Sequence, residues 1–213
     1  MHPHESAFDR LRSLQVETIL AGSIVAELRP RFASLRDRHE NGTAPRAVSV
    51  HQLFQTPASL AARLVALLPP ARDGRVLEPS AGLGRILDAF APYKPAEVVA
   101  VELAAPCAGE LFRQDRPGVR IHQRDFLTLT PADLGTFDAI VMNPPFHLRA
   151  DIRHILHARQ FLKPGGTLAA VCLNSTSRIS ALQPFCQTWV ELPRSTFAAE
   201  GTHVSTALLT MTG

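Results

Sequence analysis

Short apolar runs alternate with amphipathic segments along the chain from residue 48 onward. Runs at residues 76–77, 98–101 and 119–121 predict three strands, and runs at residues 139–142 and 168–173 predict two more. Continuous apolar runs of this length are typical of strands that are covered on both faces. The sequence therefore predicts a parallel sheet with helices between its strands.

The segments between these runs have helical spacing. Leu60 and Leu64 share one face of a helix predicted over residues 57–68. Another helix is expected to begin at Asp151 and to end before Lys163-Pro164-Gly165-Gly166. This alternation of helix and strand indicates a doubly wound α/β layer structure.

The two ends of the chain complete the predicted architecture. Residues 189–192 and 204–211 are expected to form a closing antiparallel pair. Residues 1–47 are predicted to be an N-terminal helical extension that packs on the sheet, before a domain over residues 48–213. The fold class is thus α/β, with a doubly wound, mostly parallel seven-stranded sheet. Four arginines of the extension raise the alternative of an arm that contacts the substrate: Arg29, Arg31, Arg36 and Arg38.

Composition narrows the class of protein. The 213 residues are 46% hydrophobic and 19% charged, which predicts a folded chain with a substantial core. No apolar run approaches the ~20 residues that cross a bilayer, so no membrane partner is expected. Three scattered cysteines without a CxxC pair are typical of reduced thiols in a cytoplasm. The net charge of +3 is compatible with a polyanionic partner.

The most distinctive motif is Asn143-Pro144-Pro145-Phe146, which directly follows the fourth predicted strand. Sheets of this class bind ligands at the carboxyl ends of their strands. The two prolines fix φ and remove two N–H donors, so that carbonyl oxygens remain as acceptors. The motif therefore places acceptors beside an aromatic ring, which suits a planar ligand that carries an amino group.

Acidic residues follow the three preceding strands. The turn Glu78-Pro79-Ser80-Ala81-Gly82-Leu83-Gly84 allows close approach of a nucleotide-like ligand. A dinucleotide fingerprint would need a small residue where Leu87 stands, and Glu78 favours a cationic amino acid end instead. Glu102 is able to accept from ribose hydroxyls, and Asp125 from an adenine amino group. The plainer alternatives are a solvated strand-end glutamate and an aspartate that caps the next turn.

Together these motifs resemble those of class I S-adenosylmethionine-dependent methyltransferases, specifically the DNA N6-adenine type and the small forms carried by phages and mobile elements. The resemblance begins at Phe54-Gln55-Thr56-Pro57 and covers roughly residues 50–213. It implies S-adenosylmethionine as the cofactor, with Asn143 close to it. The implied cofactor contacts are Thr56, Glu78, Pro79, Ser80, Ala81, Gly82 and Gly84 at the methionine moiety, Glu102 at the ribose, and Asp125 and Phe126 at the adenine.

For the reaction, the resemblance implies a catalytic motif formed by Asn143, Pro144, Pro145 and Phe146. Asn143 and the Pro144 carbonyl would accept from the target amino group, and Phe146 would stack on its ring. The implied activity is methylation of an exocyclic amino group, foremost adenine N6 in DNA, with little intrinsic sequence specificity. The implied partner is nucleic acid, DNA ahead of RNA, and a specificity partner or a homodimer stays open.

Three alternatives accompany this prediction. An RNA guanine-N2 methyltransferase and a protein-glutamine N5 methyltransferase use the same motif, and His147 after Phe146 matches the guanine-N2 form. A non-catalytic nucleic-acid-binding or anti-restriction module is the alternative from another class. His154 and His157 raise the question of a metal, but no carboxylate or cysteine completes a ligand set, and none is predicted.

Overall fold

The computed structural model describes residues 54–68, 74–90, 92–93 and 95–213. The N-terminal extension predicted over residues 1–47, and with it the arginine arm, lies outside these residues. None of the helices in the described part of the chain has the length and apolar character that a membrane span requires.

One seven-stranded sheet organises the described residues, with the strand order β3-β2-β1-β4-β5-β7-β6. β7 runs antiparallel to β5 and to β6, and all other neighbours are parallel. The predicted mostly parallel sheet and its antiparallel closing pair are therefore confirmed. The strands are β1 (Arg75–Glu78), β2 (Glu97–Glu102), β3 (Val119–Gln123), β4 (Phe137–Met142), β5 (Leu162–Leu173), β6 (Thr188–Glu191) and β7 (Thr206–Thr212).

Helices cover both faces of this sheet, as the apolar strands predict. Alternate residues of β4 face opposite sides, because side chains of a strand point up and down in turn. Ala139 and Val141 belong to one buried cluster, and Ile140 and Met142 belong to the other. The helices are α1 (Ala58–Ala66), α2 (Arg85–Ala89), α3 (Ala105–Arg113), α4 (Pro131–Leu134), α5 (Ala150–Ala158) and α6 (Thr176–Leu182).

β5 begins earlier than the sequence indicates. Its first residue is Leu162, so Lys163-Pro164-Gly165-Gly166 lies within the strand and not in a turn before it. The pairing with β4 shifts register between Phe137 and Ala139, which accommodates the extra residues as a bulge. A Cβ on Gly166 would lie 3.0 to 3.1 Å from three carbonyl oxygens, so glycine allows the close backbone approach.

The strand order places a crevice between β1 and β4. β1 connects to β2 on one side, whereas β4 connects to β5 on the other, so the chain leaves these neighbouring strands in opposite directions. Ligands of open α/β sheets bind at such a switch point, outside the carboxyl ends of the strands. Glu78 ends β1 and Asn143 directly follows β4, so the two central motifs flank this crevice.

Candidate active site

Two hydrogen bonds fix the orientation of the Asn143 carboxamide. Its Nδ2 donates to the Phe54 carbonyl oxygen and to Thr56 Oγ1, both at 3.1 Å. Its Oδ1 is buried and has no partner among the described residues. The reversed amide would direct Oδ1 at the Phe54 carbonyl, which has no proton to donate. Asn143 therefore presents a buried acceptor at the end of β4, and such an atom costs ~1–3 kcal/mol until a donor meets it.

The Phe146 ring is enclosed by two other rings. Phe54 stacks on it, with centroids 6.1 Å apart and planes 21° apart, and Phe197 meets it edge-on at 6.2 Å. Only 7% of Phe146 is exposed. The Phe54 ring, from the segment before α1, covers a face of Phe146. The predicted stacking of Phe146 on a target ring therefore requires that the Phe54 ring move away.

Glu78 and Ser80 contribute further buried polar atoms after β1. Glu78 is 1% exposed, and its Oε2 and Ser80 Oγ have no partners among the described residues. The pKa of Glu78 is raised well above the usual range by burial, then by the charge of Glu102, against a lowering effect of Arg116. A cationic ammonium would satisfy this carboxyl group, so these residues fit the amino acid end of S-adenosylmethionine.

Glu102 links the turn after β1 to the end of β2. Its Oε2 accepts from the Gly82 N–H and its Oε1 from the Ala104 N–H, both at 2.7 Å. Glu102 is 8% exposed, so it is not the solvated strand-end residue of the plainer alternative. Gly82 and Gly84 have φ of 54° and 85°, which glycine adopts without strain. Each carboxylate oxygen of Glu102 retains a lone pair that a ribose hydroxyl is able to use.

Asp125 and Phe126 have structural roles after β3. Asp125 Oδ1 accepts from the Leu127 N–H at 3.0 Å, which caps the short 3₁₀ turn as the plainer alternative states. Phe126 is 2% exposed and packs against Phe161 with centroids 5.2 Å apart. The contact of this ring with an adenine stays a prediction that its enclosure does not favour. The Asp125 carboxyl is half-buried and remains a candidate for the adenine amino group.

The histidines that raised the metal question lie on α5, where both are half-buried and contact the Phe126 ring. His157 Nε2 lies 2.9 Å from the Leu129 carbonyl oxygen, and its ring meets Phe126 edge-on. His154 Nδ1 is buried without a partner, and burial lowers the pKa of this imidazole to about 4. Across the described residues, no three His, Cys, Asp or Glu side chains come together to hold a metal ion.

Sequence reasoning missed an ion pair beneath the Asn143–Phe146 motif. Asp151 is fully buried, and its Oδ2 accepts from Arg178 Nε at 3.1 Å and from the Leu173 N–H at 3.2 Å. Arg178 Nη2 donates to the Phe146 carbonyl oxygen at 3.2 Å. The pair therefore ties the motif to α6 and to the end of β5. No local signal in the sequence indicates this pair, because an aspartate at the start of a helix is usually an exposed residue of the first turn.

A strained turn after the motif was also missed. Leu148 and Arg149 have φ of 48° and 59°, and the Ala150 N–H donates to the His147 carbonyl oxygen. A left-handed conformation costs a residue with a Cβ ~1–2 kcal/mol. Leu148 is 87% exposed. No sequence signal marks this turn, because glycine and asparagine, the residues that favour such φ values, are absent from it.

Comparison with known proteins agrees with this geometry. Among solved structures, a proposed RNA methyltransferase from Pyrococcus horikoshii superposes with a TM-score of 0.60 at 16% identity, over 76% of this chain and 87% of that chain. TrmN from Thermus thermophilus gives 0.59 at 21% identity, over 76% and 50%. A dimethyladenosine transferase from Plasmodium falciparum gives 0.57 at 13% identity, over 74% and 62%. Likeness at these identities establishes the fold alone, and none of the curated proteins matches the sequence.

A family model supplies the assignment. The methyltransferase small domain matches residues 59–194, which is more than half of the chain and includes both motifs of the crevice. The seven-stranded sheet is the Rossmann-like fold of class I methyltransferases. S-adenosylmethionine is accordingly the cofactor, and the orphaned acceptors at Glu78 and Ser80 fit it. The chain belongs to the methyltransferase small domain family.

Proposed function

We propose that this methyltransferase acts on the exocyclic amino group of a nucleic-acid base, foremost adenine N6 in DNA. The observation that carries the proposal is the Asn143 carboxamide. Its NH₂ group is held by Phe54 and Thr56, which leaves the buried Oδ1 as an acceptor without a partner in the described structure. The amino group of a target base would supply the donor that this atom lacks.

The chemistry of an aromatic amine explains why acceptors are needed. Its lone pair is delocalised into the ring, so the amine is a poor nucleophile. Two acceptors on its hydrogens, Asn143 Oδ1 and the Pro144 carbonyl oxygen, favour a pyramidal nitrogen with a localised lone pair. These contacts strengthen as positive charge develops on the nitrogen, so they stabilise the transition state more than the ground state. The proton of the product leaves to water, and no side chain has to act as a general base.

Different residues of the crevice would bind different parts of the cofactor. S-adenosylmethionine, when bound, supplies a methyl group activated by a sulfonium. Glu78 and Ser80 would hold its amino acid end, Glu102 its ribose and Asp125 its adenine amino group, with Thr56 holding Asn143 in place. The backbone of Pro79, Ala81, Gly82 and Gly84 forms the turn around it, and Pro145 keeps the catalytic motif rigid.

A base inside a duplex cannot reach this crevice. It must be flipped out or be single-stranded, and a flipped base gains ~1–3 kcal/mol from stacking on an aromatic ring. Phe146 is the ring at the motif, and displacement of Phe54 from its face would make room for the base. Little intrinsic sequence specificity is part of the proposal, with a specificity partner or a second copy of the chain as its source of selectivity.

RNA guanine-N2 methylation is the second candidate. His147 directly follows Phe146, as in the resemblance described above, and the similar structure from P. horikoshii carries the name of a proposed RNA methyltransferase. An exocyclic amine on a purine is the common target of both candidates. Protein-glutamine methylation and a non-catalytic module are the remaining outcomes of the test.

The test measures methyl-tritiated cofactor transfer to native DNA, heat-denatured DNA, ribosomal RNA and bulk protein, followed by nucleoside analysis. N6-methyladenine from DNA supports the first proposal, and N2-methylguanine from RNA replaces it with the second. Asn143→Ala is expected to retain cofactor affinity by calorimetry and to lose transfer. Near-normal turnover of this variant refutes the role of the carboxamide, and absence of cofactor binding by the wild type favours the non-catalytic module.

A further inference from the structure

The turn after the catalytic motif presents an apolar side chain to solvent. Leu148 is 87% exposed, and the next most exposed large apolar residue in the described part of the chain, Leu103, is 55% exposed. The turn is closed by the hydrogen bond from the Ala150 N–H to the His147 carbonyl oxygen. Leu148 is therefore held at a fixed place, five residues after Asn143 in the chain.

Two unfavourable features coincide at this residue. Leu148 and Arg149 both occupy the left-handed region, with φ of 48° and 59°, which disfavours residues with a Cβ. The second unfavourable feature is the free-energy cost of exposing the apolar Leu148 side chain to water. Glycine or asparagine would remove both. Strain that packing does not require is typical of positions that contact a ligand.

The surface around Leu148 is cationic. Arg149 and Arg153 are exposed on either side of the start of α5. The only carboxylate between residues 143 and 161 is Asp151. It is fully buried and paired with Arg178, so it does not offset these charges. An apolar side chain followed by two exposed arginines suits stacked nucleic acid, which is a polyanion with an apolar interior.

We propose that Leu148 is a wedge that enters the base stack of duplex DNA beside the target adenine, while Arg149 and Arg153 contact the flanking phosphates. The inference rests on the proposed function and adds to it the means of keeping a flipped base outside the helix. Extrusion of a base leaves a gap, and apolar side chains that insert at such steps hold the duplex open. Arg178 fixes the wedge relative to the motif, because it binds the carbonyl of Phe146, two residues earlier.

The experiment compares methyl transfer to native genomic DNA with transfer to the same DNA after heat denaturation and rapid cooling. Leu148→Ala is expected to lower the rate on native DNA on the order of tenfold, since it removes the inserted group, and to change the rate on denatured DNA less than about twofold. Leu148→Met retains an apolar tip and is expected to keep most of the activity on native DNA. Phe112→Ala, at a side chain that is 53% exposed on α3, is the matched control with no effect on either substrate.

Leu148→Gly distinguishes the loss of the inserted side chain from a loss of folding stability. Glycine adopts the left-handed φ without strain, so this variant is expected to melt no lower than the wild type and still to lose activity on native DNA. An unchanged ratio of native to denatured rates in Leu148→Ala and Leu148→Gly overturns the wedge, whether both rates stay the same or both fall equally. Wild-type protein that labels neither form of DNA refutes the proposed function itself, so the two failures are distinguishable.

Discussion

Glu78 is a buried carboxyl group whose protonation should couple folding to cofactor binding. It is 1% exposed, and its pKa is raised by burial first and by Glu102 second, while Arg116 lowers it and Asp88 raises it. The pKa is therefore higher in the folded protein than in the unfolded chain. The folded state binds more protons than the unfolded state between these two values, so stability falls as pH rises from about 4.5 through the folded pKa.

Glu78→Gln removes this pH dependence, because an amide has no proton to lose. The linkage gives up to ~1.4 kcal/mol of unfolding free energy per pH unit within the window. Relative to the wild type, Glu78→Gln is expected to gain stability as pH rises from about 4.5 through the folded pKa of Glu78. Urea unfolding at each pH measures this difference. Glu191→Gln, at an exposed strand residue, is the matched control and should follow the wild type.

Cofactor binding should show the opposite coupling. The cationic amino acid end of S-adenosylmethionine favours the carboxylate form of Glu78, so binding releases a proton. The affinity should rise with pH by up to about tenfold per pH unit below the folded pKa of Glu78, before the α-amino group of the ligand titrates near ~7.7–8.0. Calorimetry in two buffers with different ionisation enthalpies counts the protons released. Glu78→Gln is expected to bind more weakly and without proton release.

Two results would refute this account of Glu78. One is a wild-type affinity that does not change with pH and is accompanied by no proton exchange. The other is a Glu78→Gln protein that loses stability relative to the wild type as pH rises. A pH-independent affinity would mean that the ammonium of the cofactor does not bind at Glu78. A loss of stability by Glu78→Gln would mean that the folded protein stabilises the carboxylate form of Glu78.

Variants at three further residues test the neighbouring groups. Arg178→Ala leaves the buried Asp151 carboxylate without its cation, which is expected to cost ~3–5 kcal/mol of unfolding free energy by urea titration. Arg178→Lys keeps the charge, so it should recover more stability than kcat, and equal recovery of both would argue against a positioning role. Thr56→Val removes one acceptor from Asn143 and is expected to lower kcat about tenfold with cofactor affinity by calorimetry little changed; an unchanged kcat contradicts this. His154 is held neutral, with its pKa lowered to about 4, so the wild type should lose up to ~3 kcal/mol as pH falls from 6.5 through 4, whereas His154→Leu should not.

The fold could be predicted from the sequence because its signals are local. Apolar runs such as residues 139–142 identify strands that are covered on both faces, and the alternation with helices identifies a parallel sheet. The Pro-Gly-Gly stretch at residues 164–166 precedes the fifth strand that the apolar run predicts at residues 168–173, because proline and glycine usually end elements. In the structure it is a bulge, since the register of β4 leaves room for it. Register is a property of two strands and does not appear in either one alone.

The site was only partly predictable for the same reason. The motifs at Glu78 and Asn143 are recognisable in the sequence because each stands at the end of a predicted strand. The pairing of Asp151 with Arg178 joins residues 27 apart, and no local pattern specifies it. The contact between Thr56 and Asn143 spans 87 residues. The left-handed turn at Leu148 violates the preference of its residue type, so propensity predicts the opposite of what is present.

The buried polar atoms without partners indicate what kind of ligand the crevice requires. Native proteins leave few such atoms, so a group of them in one place calls for an explanation. In the described structure they include Glu78 Oε2, Ser80 Oγ and Asn143 Oδ1, all of which follow or end the two strands that flank the crevice. Two of the three are able only to accept while the carboxyl group is ionised. An ammonium at Glu78 and an amine at Asn143 would satisfy both, because each supplies N–H donors. The same atoms therefore favour a methyl donor and an amino acceptor bound side by side.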